Sequence, residues 1–526
     1  MEIKSFKKYL APILGLSISF PILILILYFF INSSFSKTFL EDGYIYEYSK
    51  NSTILLIGTL FGVLILGTIT SYLSARFTYF GSKFFALCFV LPLAYPAYIL
   101  GYTYVGFFEY RGIFSQIFAN PALKVDILNM YGAIFIFSIA MFPYVYIMAR
   151  VSFGSISKSI FELVSLQKIS STKAFFKIYL PLAYPALFGG ALLALMETLS
   201  DYGTVLYFGV ETFSVGIFKS WFGLDDLVGA INVAIVLLIF VFSLLLVEYN
   251  IRKKLRFSSS TNSSEKVSKI ELKGKENFFA FLISFIVALI TLFIPTSILI
   301  YWAFLDIFTL DFTAFEYLFN TLSLNIASSL FIISLAFLIV YFLRFFPTKI
   351  SYATHKLSML GYSIPGAVVA VGLLIISNFI DRSLGVMFFG GSFIVLIFAY
   401  TTRYFAASVG SVENGFSKIP SSIDDVSRIF CENEAKSIFK IYLPILKPYL
   451  LSGFLILYID IAKELPATLI LRPFNFDTLA VRIYELASNE MLYKTGFPSL
   501  ILVTTTAIAV IFLAYKPKRR KTKWKK

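Results

Sequence analysis

Twelve stretches of this sequence are apolar for long enough to cross a bilayer, and that feature decides what the chain can fold into. A spanning helix needs about 20 apolar residues. The runs fall near 10–32, 52–75, 84–108, 127–149, 178–200 and 228–247. They resume near 278–304, 318–343, 357–380, 383–402, 448–471 and 497–515. They are continuous rather than alternating, so helices are expected and not the strands of an outer-membrane barrel. Composition excludes a water-soluble enzyme. Of the 526 residues, 58% are hydrophobic and 14% charged, where a soluble domain has about 25% charged. The expected fold class is an all-α polytopic membrane protein with about 12 transmembrane helices. The first run follows Lys4, Lys7 and Lys8 without a small-x-small cleavage site, and is expected to stay as the first helix.

The net charge of +15 reads as a topology signal rather than as nucleic-acid binding. With the N-terminus in the cytoplasm, 35 of the 45 Lys and Arg fall on that side. Both termini are therefore expected there. The Ser-rich basic stretch 252–269 predicts a flexible cytoplasmic linker, taken as 251–276. It separates a first unit, 1–250, from a second, 277–515. A basic tail, 516–526, comes after it and could touch anionic membrane lipid.

The two units repeat one another. Phe176-Lys177-Ile178-Tyr179-Leu180-Pro181 recurs as Phe439-Lys440-Ile441-Tyr442-Leu443-Pro444, an offset of 263 residues. In the same register Pro185 matches Pro448 and Gly190 matches Gly453. Tyr95-Pro96-Ala97 and Ile364-Pro365-Gly366 form a second pair, each in the third helix of its unit. Six helices separate the copies, so the repeats are parallel, related by an axis along the membrane normal. Both hexapeptides end a long basic loop, 150–181 and 403–447. In these loops Ile160, Phe161, Val164 and Lys168, and Ile423, Val426, Ile429 and Phe430, are each spaced as one face of a short amphipathic helix. Lipid, the chain itself or a cytoplasmic partner could cover such a face.

Ionisable residues also sit inside the apolar runs. Glu197 and Asp201 lie four apart in the fifth. Asp460, Lys463 and Glu464 lie at helical spacing in the eleventh, where Asp460 and Lys463 could pair. Glu197 matches Asp460, and Asp201 matches Glu464, at the 263 offset. Such groups should face the bundle interior or a water-filled cavity. They read as a gate or pathway lining, as glue between helices, or as groups near the outer interface where water reaches them. Tyr44, Tyr46 and Tyr48, beside Glu41, Asp42 and Glu47, read as an interfacial aromatic belt and docking surface in preference to metal-ion ligands. Cys88, Cys431 and the single His355 support neither a disulfide framework nor a His-based metal cage. No catalytic set, resident metal site or cofactor site is expected, and no G-x-x-x-x-G-K-[ST] is present.

The two long loops resemble the signature of permease subunits of binding-protein-dependent ABC importers, E-A-A, three residues, G, nine residues, I-x-L-P. Glu162-Leu163-Val164, Lys168 and Ile178-Tyr179-Leu180-Pro181 meet this spacing, as do Asp425-Val426-Ser427, Cys431 and Ile441-Tyr442-Leu443-Pro444. The acid is kept in both loops and the Gly in neither. The resemblance implies that both loops are coupling helices seated on ATPase subunits. Glu197-Thr198-Leu199-Ser200-Asp201-Tyr202-Gly203-Thr204 and Lys463-Glu464-Leu465-Pro466-Ala467-Thr468 look like the fused ferric-iron permeases. Thiamine and polyamine permeases share the architecture. The resemblance further implies a type I importer fold in a bacterial inner membrane and a periplasmic binding protein. It also implies two cytoplasmic ATPase subunits carrying ATP and magnesium. The rival classes are a secondary transporter driven by an ion gradient and a scaffold or receptor without transport.

Overall fold

The computed structural model describes residues 2–32, 43–109, 112–118, 125–255, 269–306, 313–385, 388–431 and 433–514. The basic tail 516–526, most of the linker, Glu41 and Asp42 lie outside the described residues. Among the described residues, eleven helices are long and apolar enough to span a membrane, and a bent pair supplies a twelfth. The chain is thus an all-α polytopic membrane protein. We number these spans first to twelfth.

The third span is the bent pair. Ser82–Ala94 and Ala97–Ile117 meet at 100°. Pro96 is the cause: it has no N–H to donate, and it sits in extended geometry at φ −58, ψ 142. A short 3-10 turn, Leu91–Ala94, precedes it. Pro365 repeats this at φ −57, ψ 143, after the 3-10 turn Leu360–Ser363 and before the ninth span, Gly366–Leu384. The two hexapeptides also share a backbone. Phe175–Tyr179 and Ile438–Tyr442 are each one turn of π-helix, opening into Leu180–Ser200 and Leu443–Ala462. Pro181 and Pro444 stand in the first turn of those helices, so the widened turn falls where a ring and a missing donor would disturb a regular ladder. Gly190 serves close packing: a Cβ there would lie 2.7 Å from the Tyr144 carbonyl oxygen of the fourth span.

The first span of each unit crosses to the other unit. Glu2–Asn32 packs on Lys349–Met359, on the ninth span and on the eighth, Thr313–Phe345. Thr402 in the tenth span donates to the Ile18 carbonyl at 2.9 Å. Reciprocally, the seventh span, Gly274–Leu305, packs on the third. There Tyr95 and Thr296 share a 2.6 Å hydrogen bond, and Tyr104 donates to the Ile290 carbonyl. The units are therefore interlaced.

Two expectations from the sequence need correction. The linker is fixed at its far end. Ile270–Glu271 pairs in parallel with Phe77–Thr78, Lys269 Nζ donates to the Ser74 carbonyl at 2.6 Å, and Asn277 accepts from the Phe80 N–H at 2.8 Å. Pairing thus holds residues 269–271 of the stretch taken as linker, while 256–268 lie outside the described residues. The tenth span runs Phe393–Phe416, so it does not end at 402, and the second long loop does not begin at 403. Arg403, a loop cation by hydropathy, lies inside the helix. It is tolerated there because the buried Glu464 and the half-buried Glu197 pair with it.

Candidate translocation cavity and coupling surface

The intramembrane charges converge on one cavity. Glu197, Asp201, Asp460, Lys463 and Glu464 all line it, together with Arg403 and Tyr404. Its volume is about 60 Å³, room for a few waters or one ion but not for a large solute. The wall is built from matched positions. At the 263 offset Ala140 corresponds to Arg403, Met141 to Tyr404, Glu197 to Asp460 and Asp201 to Glu464, and all eight line the cavity. It therefore sits where the repeats meet.

Local backbone geometry places the acids. Both helices that carry them stop at these residues, and each carboxylate caps the short helix after it. Asp201 Oδ1 accepts from the Thr204 N–H at 2.7 Å, at the start of Gly203–Tyr207. Glu464 Oε1 accepts from the Ala467 N–H at 2.9 Å, at the start of Pro466–Leu471. Capping carboxylates satisfy free N–H groups and suit the positive helix end. The other oxygen of Glu464 accepts from Tyr404 at 2.5 Å and from Arg403. Arg403 also reaches Glu197 at 3.7 Å, joining the first unit to the second. Asp460 pairs with Lys463 at 3.6 Å. Gly366 makes the junction possible, since a Cβ there would lie 2.5 Å from Glu464 and 2.6 Å from Arg403.

Arg403 escapes a hydropathy reading, because Thr401-Thr402-Arg403 looks like the edge of a loop. The signal available is the apolar stretch resuming at Phe405-Ala406-Ala407. Among the described residues no group of three or more His, Cys, Asp or Glu side chains is placed to hold a metal ion. Tyr48 is buried in the bundle, its ring 6.1 Å from Tyr44 and 6.4 Å from Phe213, whereas Tyr46 is exposed. Cys88 and Cys431 are free thiols, and His355 Nε2 lies 2.9 Å from Glu413.

The long loops form two short helices, Lys158–Leu166 and Ser421–Phe430. On the first, Val164 is buried, and Ile160 and Phe161 pack on the bundle. Lys168 lies past the helix end, not on that face. On the second, Ile423 and Ser427 turn inward, while Val426 and Ile429 face out, against the single face expected from spacing. The outward residues match across the units. Leu163 (56% exposed) corresponds to Val426 (47%), and Leu166 (78%) to Ile429 (76%). Glu162 and Asp425, also equivalent, are exposed beside them. Within the π-turns Ile178 and Ile441 are half-buried, as is Leu443 just after the second; Leu180 and Pro181 continue the fifth span, and Pro444 the eleventh.

The helices are held differently. Arg344, at the end of the eighth span, donates from Nε to Asp424 at 2.8 Å and from its other nitrogens to the Phe416 and Ile419 carbonyls. Tyr442 donates to the second oxygen of Asp424. In the first unit Arg76, at the end of the second span, lies over the Phe161 ring at 3.3 Å, and Tyr179 packs on the same ring.

Interlaced six-helix units around a charged cavity, with two matched helices offered at one end, define a membrane permease. No family model matches the sequence. The chain is 24% identical to an Fe(3+)-transport system permease protein of Haemophilus influenzae over 479 residues, 89% of each chain. It is 23% identical to a ferric transport system permease protein of Actinobacillus pleuropneumoniae, covering 90% of this chain and 72% of that one. A putative molybdenum transport system permease protein of Bacillus subtilis matches at 31% over 150 residues, 28% of this chain and 64% of that one. The likeness to ferric-iron permeases thus extends over nearly the whole chain.

Proposed function

We propose that this chain is the transmembrane subunit of an ABC importer that carries ferric iron across a bacterial inner membrane. Both termini then lie in the cytoplasm, and residues 1–250 and 277–515 act as two fused permease units. A periplasmic binding protein delivers the cargo to the outer face. ATP, bound with magnesium, closes two cytoplasmic ATPase subunits. These pull on Lys158–Leu166 and Ser421–Phe430, the units rock, and the cavity between them opens first to one side and then to the other. This chain transports and does not hydrolyse.

The observation that carries the coupling role is the matched outward surface. Equivalent positions of both units present an acid beside two exposed apolar side chains. Exposed apolar residues at a membrane-protein end, doubled by a repeat, suit two copies of one partner. Four carboxylates against Arg403 and Lys463 give the cavity an acidic balance, which favours a cation over an oxyanion. A second reading keeps the architecture with another cargo, such as thiamine or a polyamine.

Replacing Glu162 and Asp425 by Lys tests the coupling role. Transport driven by ATP should be lost while the protein still inserts and folds. Normal uptake in the double variant would remove the coupling assignment.

A further inference from the structure

The cavity holds a cation of its own before any cargo arrives. Glu464 is 2% exposed and Arg403 6% at their side chains, so neither charge is relieved by bulk water. Each needs the other, and Glu197 is the second acid within reach of the guanidinium. The equivalent position in the first unit is Ala140, so the cation enters from one side only.

An independent feature points to a ligand. Tyr98, two residues past the Pro96 break, lines the same cavity and is 2% exposed. Its hydroxyl has no hydrogen-bond partner among the described residues. A buried phenol is rarely left so. Phenol and carboxylate oxygens are the donors a hard cation prefers.

We infer that Arg403 is a tethered stand-in for the cargo cation: guanidinium and cargo compete for Glu464 and Glu197, and the Tyr98 hydroxyl is the further ligand. This rests on the reading of the chain as a ferric permease. The competition has a use. Without cargo the acids stay paired and the units stay joined through Arg403 and Glu197. With cargo the guanidinium is displaced, and its return expels the ion. A pathway site must release what it binds.

The test uses full-length protein in detergent and terbium(III) as the probe, because tyrosine sensitises its luminescence. Arg403→Gln should bind terbium about tenfold tighter, as expected when a charged competitor is removed. Arg403→Lys should stay near wild type. Tyr98→Phe should bind about tenfold weaker, the size of one lost contact to a charged group. It removes a hydroxyl with no partner, so it keeps the test alive if Arg403→Gln fails to fold. Unchanged affinity in Tyr98→Phe, or affinity in Arg403→Gln no higher than wild type, would overturn the inference. Iron uptake by the wild-type system is scored separately. Its absence with the variant ranking intact would sink the cargo and leave the cation site standing.

Discussion

Lys168 and Cys431 occupy equivalent positions after Lys158–Leu166 and Ser421–Phe430, yet Lys168 is left-handed at φ 49 and Cys431 is extended at φ −103. The Lys168 and Ile169 N–H groups close back on Ser165 and Val164, a Schellman ending with Lys in the place that normally favours glycine. A left-handed turn thus closes the first helix without a glycine, and no such turn closes the second.

Lys168→Gly should therefore stabilise the protein by up to about 1 kcal/mol, the left-handed penalty less the entropy of glycine. Cys431→Gly should destabilise it by about 0.5–1 kcal/mol, since its φ suits any residue. Thermal unfolding of the two purified variants reads the opposite signs directly.

The unequal anchoring of these two helices leads to a second expectation. Arg344→Ala leaves Asp424 without its cation and frees two carbonyls, at a cost of about 3 kcal/mol. Arg76→Ala removes a cation–π contact worth about 1 kcal/mol. Limited trypsin digestion should cut the 417–437 segment of Arg344→Ala much faster than wild type, and barely change the 157–177 segment of Arg76→Ala. Equal rates would show that the two clamps are equivalent.

Leu166 and Ile429 are exposed and touch little of the bundle. Replacing both by Asp should leave thermal stability within about 0.5 kcal/mol of wild type. The same pair should abolish co-purification of the ATPase. Retained ATPase would place the docking surface elsewhere.

Because the first and seventh spans are exchanged, severing the chain within 256–268 should not separate the units. Co-expressed fragments 1–260 and 261–526 are expected to purify together. Recovery of free fragments would contradict the interlacing.

Much of this architecture is legible in the sequence. Spans are written in hydropathy, and the Pro96 and Pro365 breaks and the two π-turns stand at prolines that the repeat marks. The five intramembrane charges do meet in one cavity. Three things are hidden. A hydropathy window treats Arg403 as a helix end, since it cannot see Glu464 and Glu197 around it. Period alone places Val426 and Ile429 on an apolar face, but which side faces the bundle depends on Arg344 and Asp424. The exchange of first spans is a matter of which helix meets which, and an apolar face does not name its partner.

The most direct measurement is uptake of radioactive ferric iron in cells with and without this gene, in a strain lacking other iron routes, with labelled thiamine in parallel. The account predicts that iron uptake alone is lost on deletion, and that ATP depletion abolishes it in the parent. Unchanged iron uptake would contradict the ferric cargo. Uptake that survives ATP depletion on a proton gradient would contradict the importer itself.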